Sequence, residues 1–352
     1  MTDVDFLWRA LALARRGLGH TRPNPPVGAV IVRDGRIVGE GWHRRAGSAH
    51  AEVAAIENAL KREGPGVRSL RGTTLYVTLE PCSRRGRVGA CTDAIVAAGV
   101  SRVVYAVADP NPTNRGKARR VLAKHGIACE RMDAKQEVVH ACEELVRAFG
   151  KHVTTGLPFV TVKLAMSLDG KICDNWGRAR WISCEASRKF TGRMRETADV
   201  IMVGAETVRK DDPSLLSHGR PNKDLVRVVV SKSGRLPKVA QVLADGKNPT
   251  LVFDDARRAI RELGKMGMTH VLCEGGLALA TSLAEAGLVD EWIAVLAPVV
   301  IGNRRIEKAI RGFAPTFTTW TGLSDNVCFF EKGWDWRKNR RWLGDGCVCL
   351  PD

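Results

Sequence analysis

His50 and Glu52 stand two positions apart in the run HAE, and Cys82 and Cys91 close the two ends of PCSRRGRVGAC. One imidazole and two thiolates form a donor set that zinc takes in catalytic sites, where three protein ligands leave the fourth position to water. A carboxylate two residues beyond the histidine can reach such a water without ligating the ion. It can take a proton from the water and hand it to a leaving amine. Taken singly, the same residues have plainer uses. His50 could be a capped surface histidine, and both cysteines could be core thiols. PCSRRGRVGAC could be a disulfide loop, or a basic arm carrying Arg84, Arg85 and Arg87.

The metal reading requires elements that end at one point. The pattern of the first half predicts a helix over 5–17 and a hairpin over 25–43 around Asp34-Gly35. A helix over 50–64, a strand over 73–81, a helix over 91–99, a strand over 102–110 and a helix over 117–126 follow. His50 and Cys91 would each open a helix, and Cys82 would follow a strand. Helix N-termini favour the thiolate that a metal needs. Gly150, Gly156 and Pro158 then punctuate the chain, and a second α/β series begins. It reads as a strand over 159–171, a helix over 183–198, and a strand over 199–208 entering a turn. Strands over 226–234 and 248–255, a strand–Gly-Gly–helix unit over 270–287 and a long strand over 290–302 complete it. No internal repeat or low-complexity run interrupts the series. H-x-E followed by P-C and a further Cys, each at the end of an element, is the pattern of zinc deaminases that act on nucleobases.

A length of 352 residues suggests two domains or one large one, and 44% hydrophobic with 26% charged residues is ordinary for a soluble globular protein. The first residues, MTDVDFLWRA, lack the basic start and apolar run of a signal peptide, and no apolar run reaches the length of a membrane span. A cytoplasmic protein with reduced cysteines is the expectation, which disfavours the disulfide loop. The net charge of +17 is spread over both halves. A spread excess suits phosphorylated substrates and cofactors better than a nucleic-acid arm, so neither nucleic acid nor membrane is expected as a partner. The one local cluster, Arg337, Lys338, Arg340 and Arg341 beside Trp336 and Trp342, reads as a solvated tail.

The eight-residue gap between Cys82 and Cys91 separates this chain from deaminases that write C-x-x-C. With PNPPVGAV (23–30), GWHRRAGSAHAE (41–52), TLEPCSRRGRVGAC (78–91) and ADPNP (108–112), it resembles the deaminase of riboflavin biosynthesis. VKLAMSLDGK (162–171), RWIS (180–183), VGAETVRKDDPSL (203–215) and CEGGLALATSL (273–283) extend the resemblance to the bifunctional pyrimidine deaminase–reductase family of that pathway. The resemblance runs from about residue 5 to residue 331. It implies an α/β protein with a cytidine-deaminase-like three-layer domain followed by a dihydrofolate-reductase-like domain. The domains would be 1–150, a zinc-dependent pyrimidine deaminase, and 151–336, an NADPH-dependent reductase, with 337–352 a basic tail. The first would remove a ring amine from a diaminopyrimidinone bearing a phosphoribosylamino group, and the second would reduce the ribosyl chain to ribityl. One zinc ion per deaminase domain, NADPH, a phosphorylated pyrimidine substrate and a homo-oligomer are the implied cofactors and partners.

Residue by residue, the resemblance assigns His50, Cys82 and Cys91 to zinc and Glu52 to proton transfer. Asn24, His43, Arg87, Asp109 and Asn111 would bind the deaminase substrate, although Asn24 and Asp109 also suit turns. Ala165, Trp181, Thr207, Asp211, Gly275 and Gly276 would bind the reductase cofactor, and Lys163, Arg195, Leu215 and Glu274 its substrate. A Gly-Gly pair is also a simple turn, and Arg195 also suits an exposed helix face. The chain departs from the family at Ala179, where a serine is common, and at His218, where an arginine is common; Arg220 could stand in for the latter. Ser231-Lys232 replaces an Asp-Ser pair, and Lys232 suits the extra phosphate of NADPH. These departures admit a deaminase with a divergent or inactive reductase half. A nucleic-acid base deaminase is a more distant alternative, carried by charge alone. The remaining cysteines show no ligand spacing beyond Cys347-x-Cys349 near the end.

Overall fold

The computed structural model describes residues 1–64, 69–84, 89–173, 182–217, 224–299 and 301, and the backbone of 326–331. The chain forms two compact units, Met1–Pro158 with Gly264–Thr269, and Phe159–Leu263 with His270–Asp352. No helix among the described residues is long and apolar enough to cross a membrane.

In the first unit, α1 (Asp3–Ala14) starts at a capping box. The Thr2 hydroxyl accepts from the Asp5 N–H while the Asp5 carboxylate accepts from the Thr2 N–H. β1 (Gly28–Arg33) and β2 (Arg36–Trp42) form the expected hairpin, and Asp34 and Gly35 both take positive φ, 49° and 73°, as a two-residue turn of this kind requires. Then come α2 (Ala51–Glu63), β3 (Thr74–Leu79), α3 (Cys91–Ala98), β4 (Arg102–Val107), α4 (Lys117–Ala123), β5 (Ala128–Arg131) and α5 (Glu137–Thr155). α5 runs through Gly150 and stops at Gly156, whose φ of 73° ends the helix. β5 has no counterpart in the sequence reading. Only Cys129 of its four residues is buried, so no alternation announces it.

The sheet order is β2-β1-β3-β4-β5. β1 is antiparallel to β2 and β3, whereas β3, β4 and β5 run parallel. Parallel strands bring their carboxyl ends to one edge of the sheet, and there the chain places Cys82 after β3 and Asp109 after β4. Leu7, Leu11, Ile31, Leu75, Ile95 and Val103 fill the core around the sheet. Two glycines on β2 set how closely α2 lies on it. A Cβ at Gly39 would stand 2.5 Å from the Ala55 carbonyl oxygen, and one at Gly41 would stand 2.4 Å from the Ala55 nitrogen. Strand and helix therefore meet backbone to backbone. That contact fixes the height of the α2 N-terminus, where His50 and Glu52 sit.

The second unit is a seven-stranded sheet in the order β12-β11-β6-β10-β7-β8-β9. Its strands are β6 (Phe159–Ser167), β7 (Val200–Gly204), β8 (Val226–Val230), β9 (Thr250–Phe253), β10 (His270–Cys273), β11 (Glu291–Ala297) and β12 (Asn326–Glu331). All neighbours are parallel except β11 and β12. The helices are α6 (Glu185–Thr197), α7 (Ala205–Asp211), α8 (Gln241–Ala244), α9 (Ala256–Lys265) and α10 (Leu277–Glu285). The strand expected over 199–208 ends at Gly204, and a helix follows. Gly204 is extended and caps α7, whose Glu206 pairs with Arg209 and Lys210 one turn on. The late strand likewise stops at Ala297, short of the expected residue 302.

Gly41→Ala is expected to push α2 off β2, destabilising the first unit by roughly 2 kcal/mol or more and lowering its zinc content. Denaturation and metal analysis check this; a variant unchanged in both would show that the close approach does not position the helix.

Candidate functional site

His50 is the extended N-cap of α2, and Glu52 lies in the first turn of that helix. Cys91 is the first residue of α3 and its backbone N–H donates to the Cys82 sulfur at 3.4 Å. The Thr92 N–H donates to the Cys82 carbonyl at 3.2 Å, so the start of α3 is stitched to the segment after β3. Three donor atoms result in one place. His50 Nδ1 is 3.2 Å from Cys91 Sγ and 3.5 Å from Cys82 Sγ, and the two sulfurs are 3.3 Å apart. That separation excludes a disulfide, whose sulfurs lie about 2.05 Å apart. Tetrahedral zinc at its ordinary bond lengths spans edges of about 3.5–3.8 Å, within a few tenths of an ångström of those observed. The donor set and its spacing fit zinc, and among the described residues this is the one His/Cys/Asp/Glu group gathered closely enough to hold a metal.

The electrostatics point the same way. A hydrogen bond from Cys91 lowers the Cys82 thiol to about 4, against the effect of burial and with help from His50. Cys91 is held well above the ordinary thiol range by its hydrogen bond to Cys82 and by burial. A bound cation would favour the deprotonated form of both sulfurs. Glu52 is 4% exposed. Burial, then the charge on Cys82, push its carboxyl up to about 7, a value suited to taking and returning a proton near neutrality.

Asn24 and His43 form a hydrogen-bond chain that ends on the Ala49 carbonyl, one residue before His50. His43 Nδ1 lies 3.1 Å from the Ala49 carbonyl, which can only accept, so that nitrogen carries the proton. Nε2 then accepts from Asn24 Nδ2 at 3.1 Å, which fixes the amide with its oxygen turned away from His43. His43 is 3% exposed and packs edge-on against His50, and burial above all lowers its pKa from the ordinary histidine range.

Asp109 is buried and engaged inward. Its Oδ1 accepts from the Asn111 N–H at 2.8 Å and its Oδ2 from Asn114 Nδ2 at 2.7 Å. Asn111 is half-buried, and its oxygen accepts from Thr113. Arg84 reaches the same loop through Thr113 Oγ1 at 2.9 Å. Two buried residues with no sequence-level signal complete the arrangement. Glu80 accepts three backbone N–H bonds from residues 109–118, and Asn114 accepts from Ser83 beside Cys82. Arg87 lies outside the described residues.

In the second unit a cavity of about 1090 Å³ opens between β6, α6, α7 and the start of α10. Lys163, Ala165, Arg195, Thr207, Asp211, Glu274 and Gly276 all line it. Thr207 and Asp211 are one turn apart on α7, which explains how both reach one wall. Two assigned residues do not. Gly275 is a packing glycine: a Cβ there would meet the Leu279 side chain at 2.7 Å, whereas one at Gly276 would meet open space. Leu215 takes a φ of 55° and turns its side chain into the core, where it is 1% exposed. Trp181, Ala179, His218, Arg220 and the tail lie outside the described residues. Arg195 and Glu274 form a two-point ion pair, Nε to Oε1 at 2.6 Å and Nη2 to Oε2 at 2.8 Å, and Arg195 Nη1 donates to the Leu216 carbonyl. Burial opposes the Arg195 charge, but Glu274 more than offsets it and raises the guanidinium above its ordinary value.

Residues 1–107 match the model of the cytidine and deoxycytidylate deaminase zinc-binding region, and residues 158–318 match that of the RibD C-terminal domain. The riboflavin biosynthesis protein RibD of Bacillus amyloliquefaciens is 38% identical over 87% of this chain and 87% of its own. That of Aquifex aeolicus is 35% identical over 86% of this chain and 88% of its own. Among solved structures, the diaminohydroxyphosphoribosylaminopyrimidine deaminase/5-amino-6-(5-phosphoribosylamino)uracil reductase of Thermotoga maritima is 34% identical. It superposes with a TM-score of 0.78 over 86% of this chain and 88% of its own. Acinetobacter baumannii RibD gives a TM-score of 0.73 at 34% identity, covering 86% and 88%.

Arg195→Ala removes the two-point pair from the half-buried Glu274 carboxylate, and is expected to destabilise the second unit by roughly 1–3 kcal/mol. Removing both partners together, as Arg195→Met with Glu274→Leu, is expected to cost clearly less than the single change. Denaturant titration of the two variants checks this, and equal losses would mean that the pair does not act as a unit.

Proposed function

Because the chain belongs to the RibD family, we propose that its first unit deaminates and its second reduces the phosphoribosylaminopyrimidine of riboflavin biosynthesis, with the roles divided among the residues as follows. The observation that carries the deaminase half is the convergence of His50, Cys82 and Cys91 around one point with the buried Glu52 beside them. Zinc held there supplies a Lewis acid that makes water a nucleophile at neutral pH. The net reaction replaces the ring amine with oxygen from water and releases ammonia. Glu52 takes a proton from the attacking water at its carboxylate and delivers it to the departing amine, a task suited to a carboxyl group whose burial raises its proton affinity. Asn24, its amide held by His43, accepts from and donates to the pyrimidine edge. Asn111 and the loop around it receive the ribose and phosphate, with Arg87 as the phosphate's cation.

For the second unit we assign NADPH to the cavity lined by Ala165, Thr207, Asp211 and Gly276. A volume near 1090 Å³ accommodates a large ligand, and the N-terminus of α10 at Gly276 suits a cofactor phosphate. The nicotinamide supplies hydride to the sugar carbon that bears the amine. Lys163 holds the substrate beside it. Arg195 and Glu274 form the wall against which it lies, the arginine turned toward the phosphorylated sugar while its charge is steadied by the carboxylate.

Glu52→Gln is expected to retain about one zinc per chain and the native fold while ammonia release falls by roughly 10²–10⁴-fold. Reduction of the already deaminated intermediate by NADPH should be unchanged. Metal analysis with an ammonia assay checks this, and near-normal ammonia release would remove Glu52 from proton transfer.

A further inference from the structure

Glu80 is 3% exposed and stands two residues before Cys82, yet the chemistry above makes no use of it. All of its side-chain hydrogen bonds among the described residues go to one stretch of chain. Oε2 accepts from the Asp109 N–H at 3.2 Å and the Gly116 N–H at 3.0 Å, and Oε1 accepts from the Ala118 N–H at 3.2 Å. These donors lie at the two ends of the loop that leaves β4 and enters α4. One carboxylate thus closes the loop on itself and ties both ends to the segment bearing a zinc ligand. Three donors meet one buried carboxyl group, and leaving it without them would be costly, so the geometry is held by their number.

Asn114, 4% exposed, makes a second tie from inside the same loop. Its Oδ1 accepts from the Ser83 N–H at 2.9 Å and the Ser83 hydroxyl at 3.0 Å, and its Nδ2 donates to Asp109 Oδ2 at 2.7 Å. Ser83 follows Cys82 directly. The loop carrying Asn111 is therefore fastened to the residues on both sides of Cys82, from Glu80 before it and from Ser83 after it.

We propose that Glu80 and Asn114 are positioning residues of the deaminase. Together they set the distance between the metal centre and the loop that grips the sugar-phosphate end of the substrate, so that the ring amine arrives over the centre when the phosphate is seated. The proposal rests on the reading of Asn111 as a substrate contact. It assigns to these two side chains a role in registering two parts of one substrate, separate from the chemistry at either part. Neither residue touches the reacting atoms. Their loss should weaken the grip on the distal end and leave zinc and proton transfer in place.

The test uses the full chain with Glu80→Gln, Asn114→Asp, Asn111→Ala and the double variant Glu80→Gln/Asn111→Ala. Glutamine keeps the shape of Glu80 but turns an amide N–H₂ toward a backbone donor. Aspartate at 114 keeps the tie to Ser83 and sets a carboxylate against Asp109. Steady-state deamination, zinc content and thermal midpoint are measured for each. Both Glu80→Gln and Asn114→Asp are expected to raise KM about tenfold or more, with kcat and zinc content near those of the parent. The double variant should raise KM no further than the larger of its single variants, because both changes act through one loop. An unchanged KM in Glu80→Gln and Asn114→Asp while Asn111→Ala raises it, additive effects in the double variant, or loss of zinc and kcat at constant KM would each overturn the proposal. An unchanged KM in Asn111→Ala would overturn the reading of the loop itself, and the positioning role with it.

Discussion

Two sulfurs and an imidazole nitrogen held within 3.5 Å of one another inside a protein form a ready seat for a cation. As two thiolates the sulfurs would repel each other, and burial raises the cost of ionising both, so full deprotonation calls for a cation. The fold accepts this arrangement at three element ends, the start of α2, the exit of β3 and the start of α3. Much else in the first unit serves to keep those ends together. Gly39 and Gly41 let α2 lie backbone to backbone on β2, and the first N–H groups of α3 donate to Cys82. The same confinement that gathers the thiols also buries Glu52, and burial raises the pKa of its carboxyl.

The second unit solves a different problem with a parallel sheet. Its cavity lies at the carboxyl ends of β6, β7 and β10, where loops and helix starts converge in open α/β sheets. Buried charge is again present, but it is neutralised within the protein by the two-point pair of Arg195 and Glu274, which joins α6 to the loop after β10. The loop that contributes Asp212, Pro213 and Ser214 to the wall includes two non-glycine residues with positive φ, Asp212 and Leu215. Gln241 holds Asp212, and Arg195 holds the Leu216 carbonyl, so the neighbours of this loop fix a conformation that it would not choose alone.

The His/Cys/Cys cluster was legible because metal chemistry restricts residue types severely. His50, Glu52, Cys82 and Cys91 keep their meaning without knowledge of packing, and strong periodicity placed each at an element end. The two-part α/β architecture was legible for the same reason. Residues whose meaning depends on three-dimensional partners were harder to read. Glu80 looks like any acid before a proline, and nothing local announces that three distant N–H groups meet it. Leu215 follows its family motif, yet a left-handed backbone sends its side chain into the core. Gly275 and Gly276 are alike in sequence, but only the second faces open space. The strand expected through residue 208 failed for a related reason: VGAETV carries β-branched residues, but the Glu206 pairs with Arg209 and Lys210 favour a helix after Gly204.

The account stands or falls on two reactions occurring in one chain in a fixed order. The most direct test is mass spectrometry of the purified, zinc-replete protein supplied with the diaminopyrimidine phosphoribosyl substrate, first without NADPH and then with it. Without NADPH the expected product is the one in which a single ring amine has been replaced by oxygen, and it should accumulate. With NADPH it should be consumed and replaced by the species carrying an added hydride and proton on its sugar chain. Recovery of the substrate unchanged in both cases, or accumulation of the deaminated species despite NADPH, would contradict the assignment of two working sites to this chain.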